Sequence, residues 1–106
     1  MELITSGKCM TVFLSGEIDH HTAADIRKVI DEETDKLLPQ VLVLDFSAVT
    51  FMDSSGVGLI LGRYKTVKSL GGKIFIFGAN YDIERLLMMS GVSKIAEILG
   101  GVTYEK

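Results

Sequence analysis

Much of what chemical function requires is scarce in this chain. A single cysteine among 106 residues rules out an internal disulfide and fits a reducing compartment. Cys9 lies among small and apolar residues at the head of a strand-like stretch, so it reads as a buried thiol. Basic residues are not in excess: 11 Lys and Arg against 14 Asp and Glu leave a net charge of −3. That removes the field needed to hold nucleic acid or an anionic lipid surface, so no direct nucleic-acid partner is expected. No apolar run approaches the roughly 20 residues that span a bilayer. The amino-terminal stretch MELITSGKCM lacks a basic head followed by an apolar core. A cytoplasmic protein, neither exported nor inserted in a membrane, is the expectation.

Linkers, repeats and low-complexity tracts are absent too, so residues 1–106 read as one domain. The 47% hydrophobic content is enough for a core without staples. G-x-x-x-x-G-K-[ST] occurs nowhere, which excludes a P-loop, and GVGLILG does not match G-x-G-x-x-G. His20 and His21 are adjacent and have no Cys, His or Glu at metal-ligand spacing, so they read as surface or capping residues. No cofactor and no metal are expected.

What is present is an alternation of strand and helix patterns. Residues 2–5 read as a strand, hairpinned through Ser6-Gly7-Lys8 to a second over 10–18, where Met10, Val12, Leu14 and Ile18 share one face. Thr22, with Asp25 three residues on, gives a box-like start to a helix carrying Ile26, Val29, Ile30 and Leu37, and Pro39 stops it. The run Val41-Leu42-Val43-Leu44, ending at Asp45-Phe46, predicts a central strand covered on both faces, and Lys73-Ile74-Phe75-Ile76-Phe77 repeats that signature. Between them a helix over about 55–69 carries Val57, Ile60, Leu61, Tyr64 and Val67. Asn80 caps a third helix that closes at Gly91, with Met88 and Met89 as packing residues at its end. Residues 94–99 suit either a short helix or a last strand. The order predicts an α/β fold: a mixed, mostly parallel sheet of four to five strands with about four helices.

Sites in such folds lie where strands enter helices, which directs attention to 17–22 and 47–55. The second contains TFMDSSGVG, residues 50–58. A hydrolase nucleophile at Ser54 or Ser55 would want a G-x-S-x-G elbow, but Met52 stands where the glycine belongs. Asp53 or Ser54 suits a helix cap, and a second serine at a helix start also suits phosphorylation, because the helix N-terminus stabilises the added charge. Ser55, Gly58, Leu59, Gly62 and Thr66 lie along one side of the helix, away from the apolar stripe. Each interior glycine costs roughly 1 kcal/mol against alanine, a cost that makes sense where another backbone approaches, inside the fold or across an interface. Arg63, Lys65 and Lys68 read as a solvated basic face.

Two stretches carry a specific resemblance. GEIDHHTA over 16–23 and TFMDSSG over 50–56, continuing through Gly62-Arg63-Tyr64-Lys65, closely resemble the sporulation anti-anti-sigma factors of the STAS class. The likeness runs from about residue 10 to 96, and Met89-Ser90-Gly91 and Lys94-Ile95 share in it. It implies a non-enzymatic partner switch. The unphosphorylated protein would bind an anti-sigma factor that is also a serine kinase, freeing a sigma factor. Phosphorylation at Ser55 would release the kinase, and a serine phosphatase would restore binding. Asp19, Asp53, Ser54 and Gly56 would belong to the docking surface, with Gly58, Leu59 and Gly62 along the helix. The family closes with a further helix, for which residues 100–106 are short. A small-ligand or nucleotide sensor, or an antagonist in a stress-response sigma pathway, are the alternative readings.

Overall fold

A computed structural model of the chain describes residues 1–100. Strand β1 (Glu2–Ser6) turns into β2 (Cys9–Ile18), and α1 (His20–Leu37) leads to β3 (Val41–Met52). Next come α2 (Ser54–Ser69), β4 (Lys73–Phe77), α3 (Tyr81–Met89), a 3-10 turn (Val92–Lys94) and β5 (Glu97–Leu99). The sheet order is β1-β2-β3-β4-β5, with β1 antiparallel to β2 and the other neighbours parallel. The expected mixed α/β sheet is therefore present, with three α-helices and one 3-10 turn among the described residues. The expectation about a closing helix concerns residues outside those described. Among the described residues no helix is long and apolar enough to cross a membrane.

Because strand order follows chain order, right-handed crossovers carry all the helices to one face of the sheet. That face is the core. Met10, Val12 and Leu14 of β2, Leu42, Leu44 and Phe46 of β3, and Ile74 and Ile76 of β4 are all at most 2% exposed. The expectation that β3 and β4 are covered on both faces is corrected. Their alternate residues, Val43 and Phe75, are half-buried, and Phe77 is exposed, as are Phe13 and Leu99 on the same face. A continuous apolar run here means one packed face and one open apolar face.

Helix boundaries shift where capping decides them. α1 starts at His20 because Asp19 is its cap, and Thr22 completes the box from inside the helix. It ends as Leu38 turns left-handed (φ 52°) and donates its N–H to the Thr34 carbonyl, ahead of Pro39. Its buried stripe is Ala23, Ile26, Ile30 and Thr34, whereas Val29 is exposed. On α2, Leu61 is exposed while Val57, Ile60 and Val67 are buried. Cys9 is half-buried rather than buried, and Met88 and Met89 stand 55% and 75% exposed instead of packing. The ambiguous tail resolves as the 3-10 turn followed by β5, which pairs with β4 through Phe75↔Glu97 and Phe77↔Leu99.

Candidate partner-docking site

Strand β3 is twelve residues long, twice the expected length, and runs well past β4, whose pairing stops at Asp45↔Phe77. Its extension follows β2 through two register shifts to a common end, where Ile18 lies opposite Met52. Residues 47–52, expected to lie beyond a strand ending at Phe46, are thus part of the strand. Each of the two strands gives way at once to an aspartate and a helix: Ile18-Asp19-His20 into α1, Met52-Asp53-Ser54 into α2. The Asp53 N–H donates to the Ile18 carbonyl (3.2 Å), tying the two junctions together.

Both aspartates act as caps through their side chains. Asp19 Oδ1 accepts from the N–H groups of His21 and Thr22, both at 3.0 Å. Thr22 Oγ1 accepts from the Asp19 N–H (2.8 Å) and donates to the Glu17 carbonyl (3.0 Å). Asp53 Oδ1 accepts from the Ser55 N–H (2.8 Å). Of the two residues suited to cap α2, the structure selects Asp53. Ser54 is the first helical residue and exposed; Ser55 follows and is half-buried. Neither serine hydroxyl has a hydrogen-bond partner among the described residues, and none of those residues is placed to act as a base on Ser55 through such a bond.

The two helix starts face each other across a groove of about 310 Å³. Residues of α1 at i, i+3, i+4 and i+7 form one wall: His20, Ala23, Ala24 and Arg27. Ser55, Gly58 and Leu59 form the other. Leu59, expected on the outward glycine side, is only 4% exposed and serves as the floor of the groove. The α1 wall escaped sequence reasoning, although its spacing from His20 to Arg27 was there to be read.

The glycines divide by what surrounds them. A Cβ on Gly56 would collide with the side chain of buried Met52, so this position must be glycine-sized for α2 to start against the end of β3. A Cβ on Gly58 or Gly62 would meet nothing within 4 Å. Close approach inside the fold therefore does not account for these two glycines among the described residues.

Arg63 corrects the basic-face expectation. It is 7% exposed, not solvated, with Nε 2.9 Å from Asp31 Oδ1 on α1. Burial pushes the guanidinium pKa down; Asp31 opposes this and Arg27 adds to it. Both that Nε, despite its closeness to Asp31, and Nη1 are buried without a well-aligned hydrogen bond, so the pair joins α1 to α2 at a desolvation cost. Lys68 does fit an exposed face, with Nζ 5.6 Å from the Tyr64 ring centroid. His20 and His21 are exposed and stand edge to face at 5.7 Å.

Comparison with known proteins bears on this arrangement. A STAS domain family model matches residues 1–103. Over 89 residues the chain is 44% identical to the anti-sigma F factor antagonist of Paenibacillus polymyxa, spanning 84% of this chain and 76% of that protein. It is 32% identical over 87 residues to the anti-sigma-B factor antagonist of Listeria monocytogenes, spanning 82% and 75%. Among solved structures, the anti-sigma factor antagonist SpoIIAA in its unphosphorylated form superposes with a TM-score of 0.84 at 25% identity, covering 95% of this chain and 87% of that one. The phosphorylated form of SpoIIAA, described as a Bacillus cell fate determinant, gives 0.76 at the same identity, covering 95% and 90%.

Proposed function

The chain belongs to the STAS domain family, and from that membership we propose that it is a cytoplasmic, sporulation-type anti-sigma factor antagonist whose binding is switched at Ser55. Its relatives bear the names of antagonists, regulatory binding proteins rather than enzymes, and it acts by binding. Unmodified, it docks on an anti-sigma factor that is also a serine kinase and so frees the sigma factor. Asp19, Asp53, Ser54, Ser55 and Gly56 form the centre of the docked surface. Gly58 and Gly62 let the partner's chain approach α2, and Leu59 supports the groove from below.

The observation that carries this reading is the setting of Ser55. Ser55 is half-buried and its hydroxyl unpartnered among the described residues at the start of α2, between two capped helix ends and near Gly58, which leaves open space. A nucleophile of the chain's own would need a base; a substrate for another protein's kinase needs only access. In the switch, the Ser55 oxygen takes the γ-phosphoryl group of ATP, ADP departs and the hydroxyl proton passes to the kinase. The added charge of about −1.5 to −2 beside Asp53 repels an acidic or tightly fitting partner. The N–H groups at the start of α2 tolerate it, so the fold survives. A serine phosphatase hydrolyses the ester and restores docking.

Incubation with the cognate kinase and ATP is expected to add one phosphate, located to Ser55 by mass spectrometry. Ser55→Ala should bind the kinase constitutively, and Ser55→Asp should bind at least about tenfold more weakly, a change of roughly 1.4 kcal/mol. Absence of modification, or a phosphorylated form that binds as tightly as the unmodified one, would overturn the assignment.

A further inference from the structure

The groove between α1 and α2 is lined by two polar residues that the docking surface leaves without a role, His20 and Arg27. Both belong to α1 and face the wall that carries Ser55. Arg27 has an acidic residue one helical turn on, at the i+4 position where such pairs form. That residue, Asp31, is instead engaged by buried Arg63 from α2. Arg27 is consequently a cation with no ion-pair partner among the described residues, in a chain whose net charge is −3. Ala23, Ala24 and Gly58 keep the space between the walls free of side chains.

We infer that this groove receives the phosphate of Ser55 once that residue is modified, with Arg27 and His20 binding it across the helix pair. The inference rests on the assignment of Ser55 as the phosphoacceptor. The ligand is a phosphate monoester dianion attached to α2, and its acceptor oxygens suit the forked donors of a guanidinium. The charged groups around it have opposite effects. Arg27 and a His20 ring N–H on α1 favour the dianion. The Asp53 carboxylate at the head of α2 and the Asp19 carboxylate at the head of α1 oppose it, although both already accept backbone N–H bonds. Phosphorylation thereby fills the groove as well as adding charge. A partner side chain that enters between α1 and α2 is displaced by a group the protein itself holds down, and the two helices gain a bridge at their exposed ends.

The test uses the full chain with phosphoserine encoded genetically at position 55, so that it does not depend on any kinase. Phosphorus NMR follows the second ionisation of the phosphate, which lies near pH 6 in free phosphoserine. Arg27→Gln is expected to raise that midpoint by roughly half a pH unit relative to the phosphorylated parent, because a nearby cation favours the more highly charged form. His20→Asn should move it the same way, and Arg27→Lys should restore part of the shift. Both residues are exposed and Arg27 repels buried Arg63, so the unmodified variants should melt no lower than the unmodified parent, while phosphorylated Arg27→Gln melts below the phosphorylated parent. Identical midpoints and melting temperatures in the phosphorylated parent, Arg27→Gln and His20→Asn would overturn the inference and place the phosphate in solvent. That result leaves the switch at Ser55 intact. Failure of the kinase to modify Ser55 would sink the switch and leave this titration unaffected.

Discussion

Asp19 and Asp53 occupy matching places at the ends of β2 and β3, yet their carboxylates are held differently. Asp53 accepts one backbone N–H, whereas Asp19 accepts two and shares a hydrogen-bonded box with Thr22. The Thr22 N–H above all, helped by the Thr22 hydroxyl and the His21 N–H, holds the Asp19 carboxyl below its ordinary value against an opposing push from burial. A folded-state pKa below the unfolded one gives stability that is present above the unfolded value and lost as pH falls through the folded one. Asp19→Asn keeps a capping side chain but removes the ionisation. The parent should therefore melt above the variant at pH 6, and the gap should close as pH drops below about 4. A gap that stays constant down to pH 3 would mean that the charge on Asp19 contributes nothing. At this scale the sequence was legible in kind and misleading in position. Thr22-x-x-Asp25 imitates a capping box, but Asp19 lies three residues before Thr22 and takes the cap because Ile18 is still paired in β2. Likewise Met52, still in β3, leaves Asp53 as the cap and places Ser54 and Ser55 inside α2.

Among the elements, α2 is the one whose sequence departs furthest from a simple amphipathic stripe. Its buried residues include Leu59 and Arg63 beside Val57, Ile60 and Val67, so the arc that faces protein, a little under half a turn, takes in a charged side chain. Only a neighbouring helix with a carboxylate in the right place makes Arg63 a buried residue. That carboxylate, Asp31, is far away in sequence, which is why the basic group around Arg63 looked solvated. The length of β3 was hidden for a related reason. Asp45 Oδ1 accepts from the Ser47 N–H (2.8 Å) in a local turn that mimics a strand end, while the strand continues through the register shifts against β2. Gly58 gives the clearest test at this level. Alanine there meets no atom within 4 Å, so Gly58→Ala should stabilise the free protein by about 1 kcal/mol through helix propensity. The same methyl group stands in the groove where a partner is proposed to approach, so binding to the anti-sigma factor should weaken about tenfold. Denaturant melts and calorimetry on the one variant separate the two effects. A gain in stability with unchanged binding would remove Gly58 from the interface.

Among the described residues, one sheet face is packed under helices and the other stays open, and function is proposed at only one edge of the packed side. The parallel order of β2, β3 and β4 and the helices between them followed directly from the apolar runs and their spacing. What those runs did not encode is which face is covered: Val43 and Phe75 are as apolar as Leu42 and Ile74, yet only the latter pair lies under helices. The topology decides this, since crossovers of one hand between strands in sequential order send every helix to the same side. The open face offers a control for the docking proposal. Phe77 is 44% exposed, sits between Asp45 and Leu99 in register, and lies across the sheet from the groove. Phe77→Ser removes apolar surface that is only partly covered, so the loss of stability should be modest, about 1 kcal/mol. Binding to the anti-sigma factor should stay within about twofold of the parent, a difference of roughly 0.4 kcal/mol. Set beside Gly58→Ala, this gives opposite expectations for two exposed positions: one variant less stable with binding intact, the other more stable with binding impaired. If a folded Phe77→Ser protein binds tenfold more weakly, the partner reaches around the sheet, and the site extends beyond the two capped helices to the open apolar face.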